Sequence, residues 1–186
     1  MSETSKQALL VLDYQVGVGD QPYANAAAEK AAAALAAARN AGRLVIFSKV
    51  DFRLDYPDIS SRNQVFEAMR LKNMLPPGAS KLIPSFVPRT NEIIVDKKRF
   101  GAFAGNDLEI ILRSNSITSL AMAGVATSGV ILSTFCKAAD EDYELTVLSD
   151  ACADPKPTLH QELMTNLFPR SAKVADVETW SKTLAL

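Results

Sequence analysis

Short apolar runs alternate with segments of helical period along nearly the whole chain. Ala8-Leu9-Leu10-Val11-Leu12, with polar residues on each side, reads as a strand buried on both faces. Asn25 to Ala41 is alanine-rich, with strong helix propensity, and Gly42 ends it as a C-cap. Leu44 to Phe47, Ile93 to Val95, Ser119 to Ala123, Leu145 to Leu148 and the short Ala172 to Ala175 supply five further strands. Helices are predicted over Asp107 to Arg113, with Asn106 as N-cap, and over Ser128 to Asp140, Thr158 to Phe168 and Val177 to Thr183. Strands alternating with helices imply an α/β fold: parallel strands, right-handed crossovers and helices on both faces. Residues 51–90 break the rhythm. They carry Pro57, Pro76, Pro77, Pro84 and Pro88, and only Asn63 to Leu75 has a helical pattern. Such a stretch reads as an excursion over the sheet edge, where Leu54 to Phe66 can form a lid or a subunit contact.

Length and composition narrow the class. The 186 residues fit one domain spanning residues 1–186, and 48 % hydrophobic with 22 % charged residues is ordinary globular composition. The net charge is −1, and the longest run of cations is the three residues Lys97-Lys98-Arg99. Nucleic acid is therefore not expected as a partner, since phosphate binding needs concentrated positive charge. The polar stretch Met1 to Gln7 has no basic-then-apolar pattern, so no signal peptide is expected there. No apolar run approaches the roughly 20 residues of a membrane helix. Two cysteines, Cys136 and Cys152, in no CxxC pair suit a reducing cytoplasm. A single histidine, His160, placed in a late helix and read as a surface residue, leaves no His-rich metal site; neither metal nor cofactor is expected.

In a parallel sheet, ligands sit beyond the carboxyl ends of the strands, where the strand order reverses. Asp13 ends the first strand in Leu12-Asp13-Tyr14-Gln15. A half-buried carboxylate there suits proton transfer, because desolvation raises its pKa; it equally suits a cap or loop turn. Lys97 follows the third strand and can hold a carboxylate ionised, although three adjacent cations also suit a solvated loop. Phe100 and Phe103, just beyond, either wall a small apolar pocket or join the core. The fourth strand runs into Gly124-Val125-Ala126-Thr127-Ser128-Gly129-Val130. There Thr127 or Ser128 can cap the next helix, and free backbone N–H groups can hold an oxyanion or carboxylate. A plain strand-to-helix turn is the alternative.

Together, Leu9 to Gln15, Ile93 to Leu112, Ala121 to Thr134 and Leu145 to Asp154 resemble the isochorismatase-like (cysteine hydrolase) family, over about residues 8–176. The resemblance implies a three-layer α/β/α sandwich with a six-stranded parallel sheet of order 3-2-1-4-5-6. Members include nicotinamidases, carbamoyl-group amidohydrolases and isochorismatases, so a small-molecule substrate and a homo-oligomer, dimer or tetramer, are implied. The family's aspartate falls on Asp13 and its lysine on Lys97 rather than Lys98. Gln15, Phe100, Phe103, Val125, Ala126 and Ser128 fall at oxyanion or substrate-binding positions. A cis peptide is implied at Val125–Ala126. The nucleophilic cysteine falls on Val130.

An isopropyl group cannot attack a carbonyl or give up a proton. Ser128, two positions earlier, is rotated about 200° around a helix, and Cys136 lies about 9 Å further along the axis. Neither replaces the thiol. The Thr127-Ser128-Gly129-Val130-aliphatic-Leu-Ser-Thr pattern resembles a branch of the family that lacks the cysteine. Two expectations follow: a hydrolase with Asp13 as general acid/base beside Lys97 and no covalent step, or a catalytically inactive binding or interaction subunit. The Asp-His-His metal cluster of nicotinamidases cannot be assembled with one histidine.

Overall fold

The computed structural model describes residues 6–77 and 80–184. The expectation about a signal peptide concerns mainly residues 1–5, which lie outside the described residues. Six parallel strands form one sheet: β1 (Gln7–Leu12), β2 (Leu44–Val50), β3 (Ile93–Lys97), β4 (Ser119–Val125), β5 (Glu144–Ala153) and β6 (Ala172–Ala175). Their order is β3-β2-β1-β4-β5-β6, as the resemblance implied.

β1 shows why. Five consecutive apolar residues, Ala8 to Leu12, are at most 1 % exposed, and their side chains alternate between two cores. Ala8, Leu10 and Leu12 face a cluster built with α3 (Leu108–Ser114) and α4 (Leu132–Asp140). Leu9 and Val11 face a second cluster built with α1 (Asn25–Asn40) and α6 (Val177–Thr183). A strand with both faces covered has no polar alternation, which is how the run reads in sequence. Helix α1 buries Ala27, Ala31, Ala34, Leu35 and Ala38, a stripe of small residues that lets it lie close on the sheet. Gly42, at φ +62°, closes that helix as expected.

Several boundaries differ from the sequence reading. β3 runs on to Lys97, and β5 runs to Ala153, so Cys152 lies inside a strand and not after it. Between Met122 and Gly124 the partner of β4 jumps from Val147 to Cys152, so β5 carries a bulge that lengthens it. The helix after β4 opens with a wide π-type turn, Thr127–Ile131, before α4 begins. The helix read over Thr158 to Phe168 is α5 (Pro157–Glu162) followed by a second wide turn, Leu163–Leu167, and a tight one, Phe168–Arg170. Asn106 is not the capping residue of α3, since Asp107 holds that place, but its side chain still accepts from the Leu108 N–H at 3.0 Å.

The excursion has its own small core. Within it α2 (Gln64–Leu71) is capped by Asn63, whose side chain accepts from the Phe66 N–H. Phe66 packs with Phe52, Val50 and Leu75, which seats α2 over the carboxyl end of β2. Among the described residues no helix is long and apolar enough to cross a membrane.

β1 and β4 pack so closely that a side chain is excluded at one point. A Cβ at Gly124 would fall 2.5 Å from the Leu12 carbonyl oxygen and 2.7 Å from its Cβ. Gly124→Ala is expected to lower stability by about 1–3 kcal/mol by overpacking. A urea or thermal melt checks this, and an unchanged midpoint would contradict the packing.

Candidate active site

The strand order reverses at β1, so the space between the carboxyl ends of β1 and β4 is open to a ligand. Asp13, the residue after β1, has φ +59°, a left-handed turn that an aspartate tolerates better than most residues. Its N–H still donates to the Ser48 carbonyl of β2 at 3.0 Å, while its side chain turns away from the strand line. The two residues after it anchor this bend. Tyr14 stacks on Phe86 with centroids 4.6 Å apart and donates its hydroxyl to the Ala151 carbonyl at 2.9 Å. Gln15, fully buried, accepts from the Val50 N–H at 2.6 Å and donates to the Val50 carbonyl and the Ser80 hydroxyl. Both ends of its amide are thus engaged in joining β1 to β2 and the excursion. Gln15 is a brace, not the substrate contact the resemblance implied.

Two neighbouring strands, β2 and β3, supply partners to the Asp13 carboxylate. Oδ2 accepts from Lys97 Nζ at 2.7 Å, and Oδ1 accepts from the Ser48 hydroxyl at 2.9 Å. Lys97 is fully buried; its ammonium also donates to the carbonyls of Arg99 and Phe100, each at 2.9 Å, so all three of its protons are placed. Lys98 reaches away to the Asp51 carbonyl, which separates the roles of the two adjacent lysines. Burial pushes the Asp13 carboxyl above the usual carboxylate range, against the opposing pull of the Lys97 ammonium and the Ser48 hydroxyl. Ser48 escaped the sequence reading. Its one signal is a hydroxyl closing the apolar run Leu44 to Phe47 at a strand's carboxyl end.

Asp13 opens on a cavity of about 370 Å³. Phe66, Phe100, Val50 and Leu75 wall one side, and Val125, Ala126, Gly129 and Val130 the other. Apart from Asp13, Gln21 and Tyr23, its lining residues carry no polar side chain, and among the described residues no lysine or arginine lines it. Phe100 rests on Phe66 with centroids 4.8 Å apart. Phe103 does not reach the cavity. It packs near Tyr143, centroids 6.4 Å apart, and joins the core under α3 and α4, because the turn after Lys97 sends the two phenylalanines to different sides.

The Val125–Ala126 peptide is cis. Val130, 2 % exposed, sits in the wide turn that follows and contributes both to the cavity wall and to the core. Neither Thr127 nor Ser128 caps this turn with its own side chain. The cap comes from β5's far end: Asp154 Oδ2 accepts from the Ser128 N–H at 2.8 Å, and Oδ1 from the Lys156 N–H at 3.0 Å. A backbone donor read as a place for a substrate anion is therefore filled by the protein's own carboxylate, and the Ser128 side chain does not line the cavity. Thr127, fully buried, pairs its hydroxyl with His160 Nδ1 at 2.8 Å. His160 is accordingly half-buried and clasped to the turn, not a free surface residue. Nothing near it in sequence announces this. Cys152, buried in β5, has its thiol pKa pushed up to about 12 by burial, donates toward the Met122 carbonyl and does not line the cavity. Among the described residues no three His, Cys, Asp or Glu side chains converge as metal ligands.

The isochorismatase domain model matches residues 7–179. An isochorismatase family protein of Escherichia coli O157:H7 is 27 % identical over 92 % of this chain and 92 % of its own length. The maleamate amidohydrolase of Pseudomonas putida is 28 % identical over 94 % of this chain and 83 % of its own. Among solved structures, an isochorismatase family protein from Burkholderia thailandensis superposes with a TM-score of 0.81 at 25 % identity, covering 97 % of this chain and 96 % of that one.

Burial lowers the His160 pKa below the usual histidine value, with Asp154 opposing. The folded protein thus binds that proton less readily than the unfolded chain, and stability is lost as pH falls below the unfolded value. His160→Asn is expected to shrink the drop in melting temperature between about pH 7.5 and about pH 5. An equal drop in both proteins would place His160 outside the titration.

Proposed function

The chain belongs to the isochorismatase domain family, and on that premise we propose that it hydrolyses a small, neutral, mainly apolar molecule by proton transfer at Asp13, with no covalent enzyme intermediate. The observation that carries this reading is the buried Asp13 carboxyl, held by Lys97 at 2.7 Å and Ser48 at 2.9 Å, opening on an apolar cavity with Val130 in its wall. The Asp13 carboxylate takes a proton from a water as the water oxygen bonds to the substrate carbon, and then gives that proton to the atom that leaves as its bond to that carbon breaks. Lys97 holds the carboxylate in the interval when it is ionised. A cavity of about 370 Å³ suits a small organic molecule. With no cationic side chain in its lining, a substrate carboxylate entering it would go unpaired, which supports a neutral substrate. The same reading keeps the protein in the cytoplasm as a dimer or tetramer, with exposed Leu54 and Leu71 on the excursion as area for a second copy to cover.

A second reading has its own support. Val130 fills the family's nucleophile position with an isopropyl group packed beside Ile131, which suits a subunit that binds a ligand without turning it over.

A screen of small neutral amides, carbamoyl compounds and enol ethers, followed by turnover and by thermal stabilisation, separates the two. Turnover is the expected result; stabilisation by one compound with turnover of none favours the binder. For any compound turned over, Asp13→Asn is expected to lower the rate by roughly 10²-fold or more, and an unchanged rate removes Asp13 from the mechanism. Independently, Val130→Cys is expected to place a reactive thiol on the cavity wall. Iodoacetamide should alkylate it at neutral pH faster than exposed Cys136, as mass spectrometry of the digested protein reads; labelling confined to Cys136 would refute that placement.

A further inference from the structure

At the opposite end of the sheet lies a larger hollow, of about 640 Å³, where the strands begin. Six residues of β1, about 20 Å of strand, separate Gln7 in its wall from Asp13 in the other cavity. Several of its polar groups are donors. Trp180 Nε1 donates to Gln7 Oε1 at 2.9 Å, and Gln7 Nε2 donates to the Ser119 hydroxyl at 3.0 Å. The relay fixes the amide and makes Ser119 Oγ an acceptor, so the serine's own proton is left to be given onward. Beside it stands Arg43, placed by the turn between α1 and β2. Its Nε is the one buried side-chain nitrogen or oxygen among the described residues that has no hydrogen-bond partner. Leaving such a donor unmet is costly, and Arg43 is among the residues that line the hollow. Arg170 and Lys173 line the same space, against a single carboxylate, Glu144.

We infer that this hollow is a second binding site, for a small organic anion whose carboxylate or phosphoryl head takes the Arg43 guanidinium and the Ser119 hydroxyl. Leu145, Ala172 and Leu184 supply an apolar wall for the ligand's body. A planar guanidinium suits either head group, because it offers two parallel N–H donors. The site is independent of the chemistry at Asp13.

The chain's one tryptophan, Trp180, lines the hollow and reports on it directly. Titration with phenyl phosphate, benzoate and the neutral control benzamide is expected to give a saturable change in tryptophan fluorescence for at least one anion and none for benzamide. The tighter anion identifies the head group. Arg43→Met, which keeps the stem and removes the donors, is expected to weaken binding by about tenfold or more; exposed Lys173→Met weakens it less and serves should the first variant not fold. Asp13→Asn leaves the titration unchanged. No saturable signal with either anion, or a midpoint that neither Arg43→Met nor Lys173→Met moves, overturns the site.

Discussion

The buried ion pair between Asp13 and Lys97 is the constraint around which the rest is arranged. Taking a carboxylate and an ammonium out of water costs several kcal/mol for each ion, and their mutual attraction offsets it only when the remaining hydrogen-bonding capacity is also met. Here it is met from two neighbouring strands. Ser48 of β2 supplies a hydroxyl to one carboxylate oxygen, and the chain leaving β3 folds two carbonyls back onto the ammonium. That is possible only if β2 lies between β1 and β3 in this register, with Leu12 opposite Ser48 and Val50 opposite Lys97. The strand order and the charged pair therefore support each other. A slip by one residue would turn the Lys97 side chain to the other face and leave the Asp13 carboxylate unpaired.

Around this pair the molecule builds an enclosure that is almost wholly apolar. α2 arrives from the excursion through Phe66, and the wide turn after β4 arrives from the other side through Val130. That turn is held by groups remote in sequence: the Asp154 carboxylate on a backbone N–H and the His160 imidazole on the Thr127 hydroxyl. With a carboxylate filling a backbone donor of the turn and an isopropyl group in the wall, the turn brings no nucleophilic side chain to the cavity. The opposite end of the sheet is different in kind. There the unmet group is a donor, Arg43 Nε, and the hollow carries cations and hydroxyls beside an apolar wall.

The sequence alone determined the parts that depend on local properties. Runs such as Ala8 to Leu12 announce doubly covered strands because every position is apolar, and the alanine stripe of α1 announces a helix pressed against them. Asp13 stood out as a carboxylate closing an apolar strand, Lys97 was separated from Lys98 only by the family resemblance, and the absence of a thiol at residue 130 is a matter of side-chain chemistry that no fold can alter. What only the tertiary structure decided is partnership. Ser48 and Asp13 are 35 positions apart, Thr127 and His160 33, and Ser128 and Asp154 26. Register, the bulge in β5 and the turn after Lys97 decide those meetings, and each is a property of several strands at once. For the same reason Gln15, Ser128 and Phe103, plausible by position, proved to be a brace, a capped turn and a core residue: direction and neighbours are set by the packed whole, while sequence spacing sets only distance along the chain.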